Sequence, residues 1–198
     1  MVDPTAAIAS ALPSRLRPGE QSALFARLVA LRNGGEWYAE IPPDEDPLQG
    51  DGWGGVDFVV LETLKRKSIR TVILTNSCDN SSENERAYPL NLIICPLIRM
   101  SRYEGMLRGL GRDDQWISSH FASVRNQDIT NIFFLPQGGN LEEDSLIRFD
   151  HVQSQSPDEF RASEKRVRLF TLSQQAFWLF LVKLSTHFCR IGEGIERS

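Results

Sequence analysis

The stretch that decides the fold runs from Val56 to Ile98. It holds three short apolar runs, Val56-Asp57-Phe58-Val59-Val60-Leu61, Arg70-Thr71-Val72-Ile73-Leu74-Thr75 and Leu90-Asn91-Leu92-Ile93-Ile94-Cys95-Pro96-Leu97-Ile98. Each is rich in β-branched residues, which pack well on a pleated surface, and each is bounded by glycine or polar residues, so each reads as a strand. The second and third have the composition of buried strands and are separated by the polar segment Asn76 to Pro89.

Working toward the N-terminus, Gly50-Asp51-Gly52-Trp53-Gly54-Gly55 reads as an irregular, turn-forming piece, and Ile41 to Pro47 as an exposed loop whose prolines forbid regular hydrogen bonding. Leu24, Leu28 and Leu31 fall at i, i+4 and i+7 and predict a helix from about Pro18 to Arg32, ended by Asn33-Gly34-Gly35, with residues 1–17 as a flexible tail. Toward the C-terminus the period turns helical between Met100 and Gln127, with Ile117, Phe121 and Val124 on one face and Asp113 or Asp114 as N-cap. Asn131 to Leu135 reads as a strand, Gln137 to Asp144 as a loop, and Leu146, Phe149 and Val152 as an extended segment. Arg166 to Phe170 alternates charge with Val167 and Leu169, the pattern of a strand with one wet face. The last element is a helix with Phe177, Leu181, Leu184 and Phe188 as its apolar stripe, Ser173 or Thr171 as N-cap and Gly192 past its end. About six strands and three or four helices, with no internal repeat, make residues 1–198 a single α+β domain: a small curled sheet or barrel with N-terminal, middle and C-terminal helices packed outside.

Composition narrows the function classes. The 198 residues carry 22 Lys and Arg against 26 Asp and Glu, a net charge of −4, with 41% hydrophobic and 24% charged, which excludes global disorder, a fibre and a disulfide-dense mini-protein. Cys78, Cys95 and Cys189 form no C-x-x-C pair, so reduced thiols and a cytoplasmic location are expected. His187 and Cys189 are two apart on a helix and point to different faces, so no metal site is expected. Gly105, Gly109 and Gly111 make neither a dinucleotide fingerprint nor a P-loop, and no cofactor is expected. Ala176 to Val182 is far shorter than the ~20 residues of a spanning helix, and the N-terminus lacks a basic leader, so neither a membrane span nor a secretory signal is expected.

Leu48-Gln49-Gly50-Asp51, a strand some residues on, and then Val72-Ile73-Leu74-Thr75-Asn76-Ser77-Cys78-Asp79 resemble a group of largely uncharacterised bacterial proteins with a Q-G-D opening and a strand ending in S-x-x-C-D or a close variant. The order glycine-acid, strand, basic residue, strand, polar loop and a strand ending in proline also resembles the MazF/PemK toxin family, over roughly residues 48–100. That resemblance implies an SH3-like barrel and metal-independent RNA cleavage. It carries the family's arginine onto Arg70. The hydroxyl that the family places after its proline has no counterpart at Leu97 or Ile98, and Ser101 is the nearest substitute in sequence.

Ser77, Cys78 and Asp79 sit where a strand gives way to a loop, the place at which side chains leave a scaffold and meet ligands. With Arg70 they are the candidate catalytic set: Arg70 would stabilise the charge of a phosphorane and Asp79 would take a 2′-hydroxyl proton. The structural alternative has Asp79 capping the backbone amides of Asn80 to Ser82 as an Asx-turn, with Cys78 packed as a small hydrophobe. A cysteine hydrolase would need His120, His151 or His187 beside Cys78. Asp57 and Glu62 with Lys65 give Glu-x-x-Lys and not the Glu-x-Lys of a nuclease strand. Basic residues cluster at Lys65, Arg66 and Lys67, at Arg99, Arg102, Arg108 and Arg112, and at Arg161, Lys165, Arg166 and Arg168, with acids interspersed. Lys65, Lys67, Arg99, Arg102, Arg108 and Arg112 are the candidate nucleic-acid contacts, with Trp53, Tyr103 and Trp116 available to stack on bases. Two readings follow: a toxin-like barrel that binds or cleaves RNA or DNA and has an antitoxin-like protein partner, or a non-catalytic interaction module, in either case able to form a homodimer.

Overall fold

The structure, a computed structural model, describes residues 31, 34–42, 46–61, 63–80, 88 and 90–189. Among these are strands β1 (Tyr38–Ala39), β2 (Gly52–Val60), β3 (Lys65–Ile73), β4 (Leu92–Arg99), β5 (Ile132–Leu135), β6 (Ser145–Arg148), β7 (Gln153–Gln155) and β8 (Val167–Leu172). The helices are α1 (Ser77–Asn80), α2 (Met100–Gly109), α3 (Asp114–Arg125), α4 (Pro157–Ala162) and α5 (Gln174–Cys189). The helix expected over Pro18 to Arg32 lies outside the described residues except for Leu31, which is helical and buried in the core. The tail at 1–17, Glu62, the Ser81–Ser82 amides and Gly192 also lie outside them.

The fold is α+β, built on an antiparallel, curled sheet that does not close. Its order is β1-β8-β2-β3-β4-β6-β5, with β7 beside β4. Alternation along the strands sends side chains into three cores. Val72, Cys95, Leu97, Phe133 and Phe170 meet Leu179 and Phe180 of α5. On the opposite face, Ile132, Phe134 and Leu146 meet Met100, Tyr103 and Leu107 of α2 and Ile117 and Val124 of α3. Trp53, Val56, Phe58, Ile73 and Ile94 meet Phe160 of α4.

Several expected boundaries shift for identifiable reasons. The glycine-rich piece at 50–55 is mostly strand, since β2 begins at Gly52. Glycine is required there because a Cβ on Gly52 would lie 2.2 Å from the ring of Phe170 on the neighbouring β8. At Gly54 and Gly55 the β2–β3 register slips by one, and Gly55 takes φ +74°, a glycine bulge that bends β2. The proline of the third strand does not end it. Pro96 pairs with Thr71 on one side, and on the other it falls between the β7 register at Leu92–Ile94 and the β6 register at Leu97–Arg99, where no ladder donor is needed. The helical stretch 100–127 is two helices, with the Asp113 carboxylate accepting from the Trp116 N–H at 2.7 Å as N-cap of the second. The extended segment after Leu146 splits into β6 and β7.

Two readings of exposure are reversed. In β8 the charged residue is the buried one: Arg168 is 6% exposed and Val167 53%. In α5 the deepest face is Ala176, Leu179, Phe180 and Lys183, whereas Phe188 of the expected stripe is 57% exposed. Lys183 stays inside because its ammonium donates to Gln127 O at 2.8 Å and Ile129 O at 2.7 Å. Ser173 caps this helix, accepting from the Ala176 N–H. No helix among the described residues is long and apolar enough to cross a membrane.

Arg168 is buried because Asp51 is. Its Nε lies 3.2 Å from Asp51 Oδ2, and its terminal nitrogens donate to Pro42 O at 3.1 Å and Asp46 O at 2.6 Å. The same Asp51 oxygen accepts from the Leu48 N–H. Replacing Asp51 by Asn strands a buried guanidinium, and a loss of about 3–5 kcal/mol is expected from urea unfolding. Replacing Arg66, whose pair with Glu159 is solvent-exposed, is expected to change stability by less than about 1 kcal/mol in the same measurement.

Candidate functional site

The ladder between β3 and β4 has three paired positions, Thr71 with Pro96, Val72 with Cys95 and Ile73 with Ile94. The β2–β3 ladder, in contrast, continues to Lys65. Beyond Thr71 and Pro96 the β2–β3 hairpin therefore parts from β4, and a cleft of about 620 Å³ opens between them. It is lined by Ser68, Ile69 and Arg70 of β3, Leu97 and Arg99 of β4, Ser101 and Arg102 of α2, and Gly55 at the bulge.

Arg70, Arg99 and Arg102 thus meet in one cleft. Like charges in proximity raise one another's energy, and this is visible at Arg70, whose guanidinium is held below its usual 12.5 first by burial and then by Arg99, with Glu142 and Glu143 opposing. It remains a cation at neutral pH. Arg99 is paired with Glu142 and, at 3.4 Å, with Glu143. Neither Arg70 nor Arg102 makes an ion pair among the described residues. Ser101 stands at the cleft edge with its Oγ donating to Glu143 Oε1 at 2.9 Å.

The other expected site residues lie elsewhere. Arg108 is bound by Glu104 at 2.8 Å and Asp114 at 2.5 Å, which raise its pKa. Arg112 rests over the Trp116 ring at 4.7 Å. Trp116 in turn stacks on His120, whose Nε2 is 3.0 Å from the Tyr103 hydroxyl, so these rings are packed against one another. Lys65 and Lys67 are exposed and, by strand alternation, point to the face opposite Arg70.

Ser77, Cys78 and Asp79 do not line the arginine cleft. They form the helical turn α1, capped by Asn76, whose Oδ1 accepts from the Cys78 N–H and whose carbonyl accepts from the Asp79 N–H. The hydroxyl of Ser77 accepts from the Gln49 N–H at 2.9 Å, and Gln49 Nε2 donates to Leu74 O at 2.7 Å. The Q-G-D segment and the segment after β3 are therefore mutually bound, with Gln49 holding the turn and Asp51 holding Arg168. The histidines are engaged by rings: His120 as above, His151 by Phe58 and His187 by Phe149 and Phe188.

Glu142 and Glu143 are cleft residues that sequence reasoning missed. Their signal was an acidic pair in the loop Gln137 to Asp144, but which cation it faces depends on β4 pairing with β6, where Arg99 is opposite Ser145. No family model matches the chain, and no curated protein matches it significantly.

The three thiols differ in a measurable way. Cys95 is fully buried, and burial pushes its thiol up to about 12, while Cys78 and Cys189 are exposed. Native protein at neutral pH is expected to react rapidly with a thiol reagent at Cys78 and Cys189, and at Cys95 only after unfolding, as read by mass spectrometry of the labelled chain.

Proposed function

We propose that this chain binds nucleic acid, with RNA as the preferred class, by seating a backbone phosphate in the cleft of Arg70, Arg99 and Arg102. The observation that carries this reading is the convergence of three guanidiniums from β3, β4 and α2, two of them without a carboxylate partner. A chain of net charge −4 gains affinity for a polyanion only where cations are concentrated, and phosphate neutralisation supplies most of that affinity. A curled sheet with Arg70 at this position is what the resemblance to the MazF/PemK toxin barrels implies. A toxin–antitoxin or defence context, a cytoplasmic location, an antitoxin-like partner and a homodimer belong to the same reading.

In its cleaving form, the 2′-oxygen attacks the neighbouring phosphorus, the bond to the 5′-oxygen breaks, and the guanidiniums stabilise the intervening charge. The carboxylate bordering the cleft is Glu143, bound to Ser101, so the proton acceptor in this reading is Glu143 in place of Asp79.

Filter binding with single-stranded RNA tests the reading. Arg70→Ala and Arg102→Ala are each expected to weaken binding about tenfold and to lower the salt slope by about one ion, whereas Arg108→Ala, already neutralised, is expected to leave both unchanged. Equal effects of all three substitutions would contradict the cleft. If the wild type cleaves RNA without metal, Glu143→Gln is expected to slow cleavage by about 10²-fold or more with little effect on affinity, and Asp79→Asn to leave the rate unchanged.

A further inference from the structure

A second basic cleft adjoins the first. It has a volume of about 460 Å³ and is lined by Trp53, Arg161, Ser163, Glu164, Arg166 and Arg168 among others. The two share a wall at the β2 bulge. Gly55 lines the first cleft, and its carbonyl accepts a hydrogen bond of 2.5 Å from Ser163 Oγ, which lines the second. The backbones are in such close contact that a Cβ on Gly55 would lie 2.0 Å from Lys165 O. Nothing thicker than this backbone crossing stands between the clefts.

The three arginines of the second cleft are not equivalent. Arg168 is committed to Asp51 and to the carbonyls of Pro42 and Asp46. Arg166 holds the end of α4 through Phe160 O and Arg161 O, and lies over Trp53 and Phe160. Arg161 is held loosely, 3.8 Å from Asp46 and 3.9 Å from Asp158, the latter almost fully exposed. It is the cation that an incoming anion can recruit at least cost. The facing acid is Glu164. The Trp53 indole N–H, buried in the wall, has no acceptor among the described residues, and an acceptor on a ligand would satisfy it.

We infer that Arg161 and its cleft form a second phosphate subsite, reached from the Arg70 cleft across Gly55, so that the occupant is a single-stranded nucleic acid running through both clefts. This rests on the proposed function of the first cleft and extends it from one phosphate to a track. Two cationic clefts joined end to end match the regular spacing of charge along a phosphodiester chain, which is why a strand is favoured over an acidic peptide.

The experiment compares fluorescently labelled oligouridylates, a dinucleotide and an octanucleotide, by anisotropy over a salt series with the full chain. Arg161→Ala is expected to weaken the octanucleotide about five- to tenfold and reduce its salt slope by about 0.7, and to leave the dinucleotide unchanged. Arg102→Ala is expected to weaken both. Glu164→Gln is expected to tighten the octanucleotide alone, a gain that a misfolded variant does not produce. If Arg161→Ala and Glu164→Gln leave the octanucleotide unaffected while Arg102→Ala weakens it, the second subsite is overturned and the first stands. If no substitution alters either length, the reading of the first cleft fails and the track with it. Competition by polyglutamate as strong as by unlabelled RNA of equal charge would overturn the assignment of the occupant.

Discussion

The buried contact between Asp51 and Arg168 is the constraint on which the rest of the molecule depends. An ion pair out of water costs desolvation that attraction alone roughly returns, so its value lies in geometry: each charge must meet the other or remain stranded. Here that requirement fixes the start of β2 beside β8, ties both to the carbonyls of Pro42 and Asp46, and holds the Q-G-D turn closed through the Leu48 N–H. With its base pinned, the β2–β3 hairpin can lean away from β4 only at its far end. The parting after Thr71 and Pro96 is where the arginines emerge.

Two local devices set the shape of that opening. The glycine bulge at 54–55 turns β2 toward the segment at Ser163–Lys165, and Pro96 lets β4 exchange one neighbour for another without an orphaned donor. As a result Arg99 comes to lie at the end of a strand that pairs with β6, next to the acidic pair Glu142 and Glu143. The cleft therefore combines cations that lack partners with one that is restrained, and a hydroxyl held by a carboxylate. That is a polar, half-solvated site suited to an oxyanion, with few apolar surfaces to grip anything else.

The fold class was legible in the sequence because β-branched runs and helical periodicity are local signals. The three central strands, the capped helix starting after Asp113 and the final helix all follow from them. The buried Arg168 was not legible, since alternation alone assigns a charged residue to water and only the distant Asp51 makes burial tolerable. The stripe of α5 was misplaced for the same reason: Lys183 is inside because two backbone carbonyls near Gln127 receive it. For the site, the sequence named Arg70, Arg99, Arg102 and Ser101. It could not tell that Arg108 is neutralised by its own helix neighbours, that Lys65 and Lys67 occupy the other strand face, or that Ser77 serves the Q-G-D turn. Those facts belong to pairing across 28 or more residues, as between Gln49 and Ser77, which no local pattern encodes.

The central claim is that one cleft gathers the arginines of β3, β4 and α2 to hold phosphate. Nitrogen–proton correlation spectra of the arginine side chains, recorded as a short single-stranded RNA is added, test it most directly. The account predicts that the Nε–H signals of Arg70, Arg99 and Arg102 shift together and saturably while the backbone signals of Ser77 to Asp79 stay in place. Shifts confined to that turn, or none at the three arginines, would contradict it.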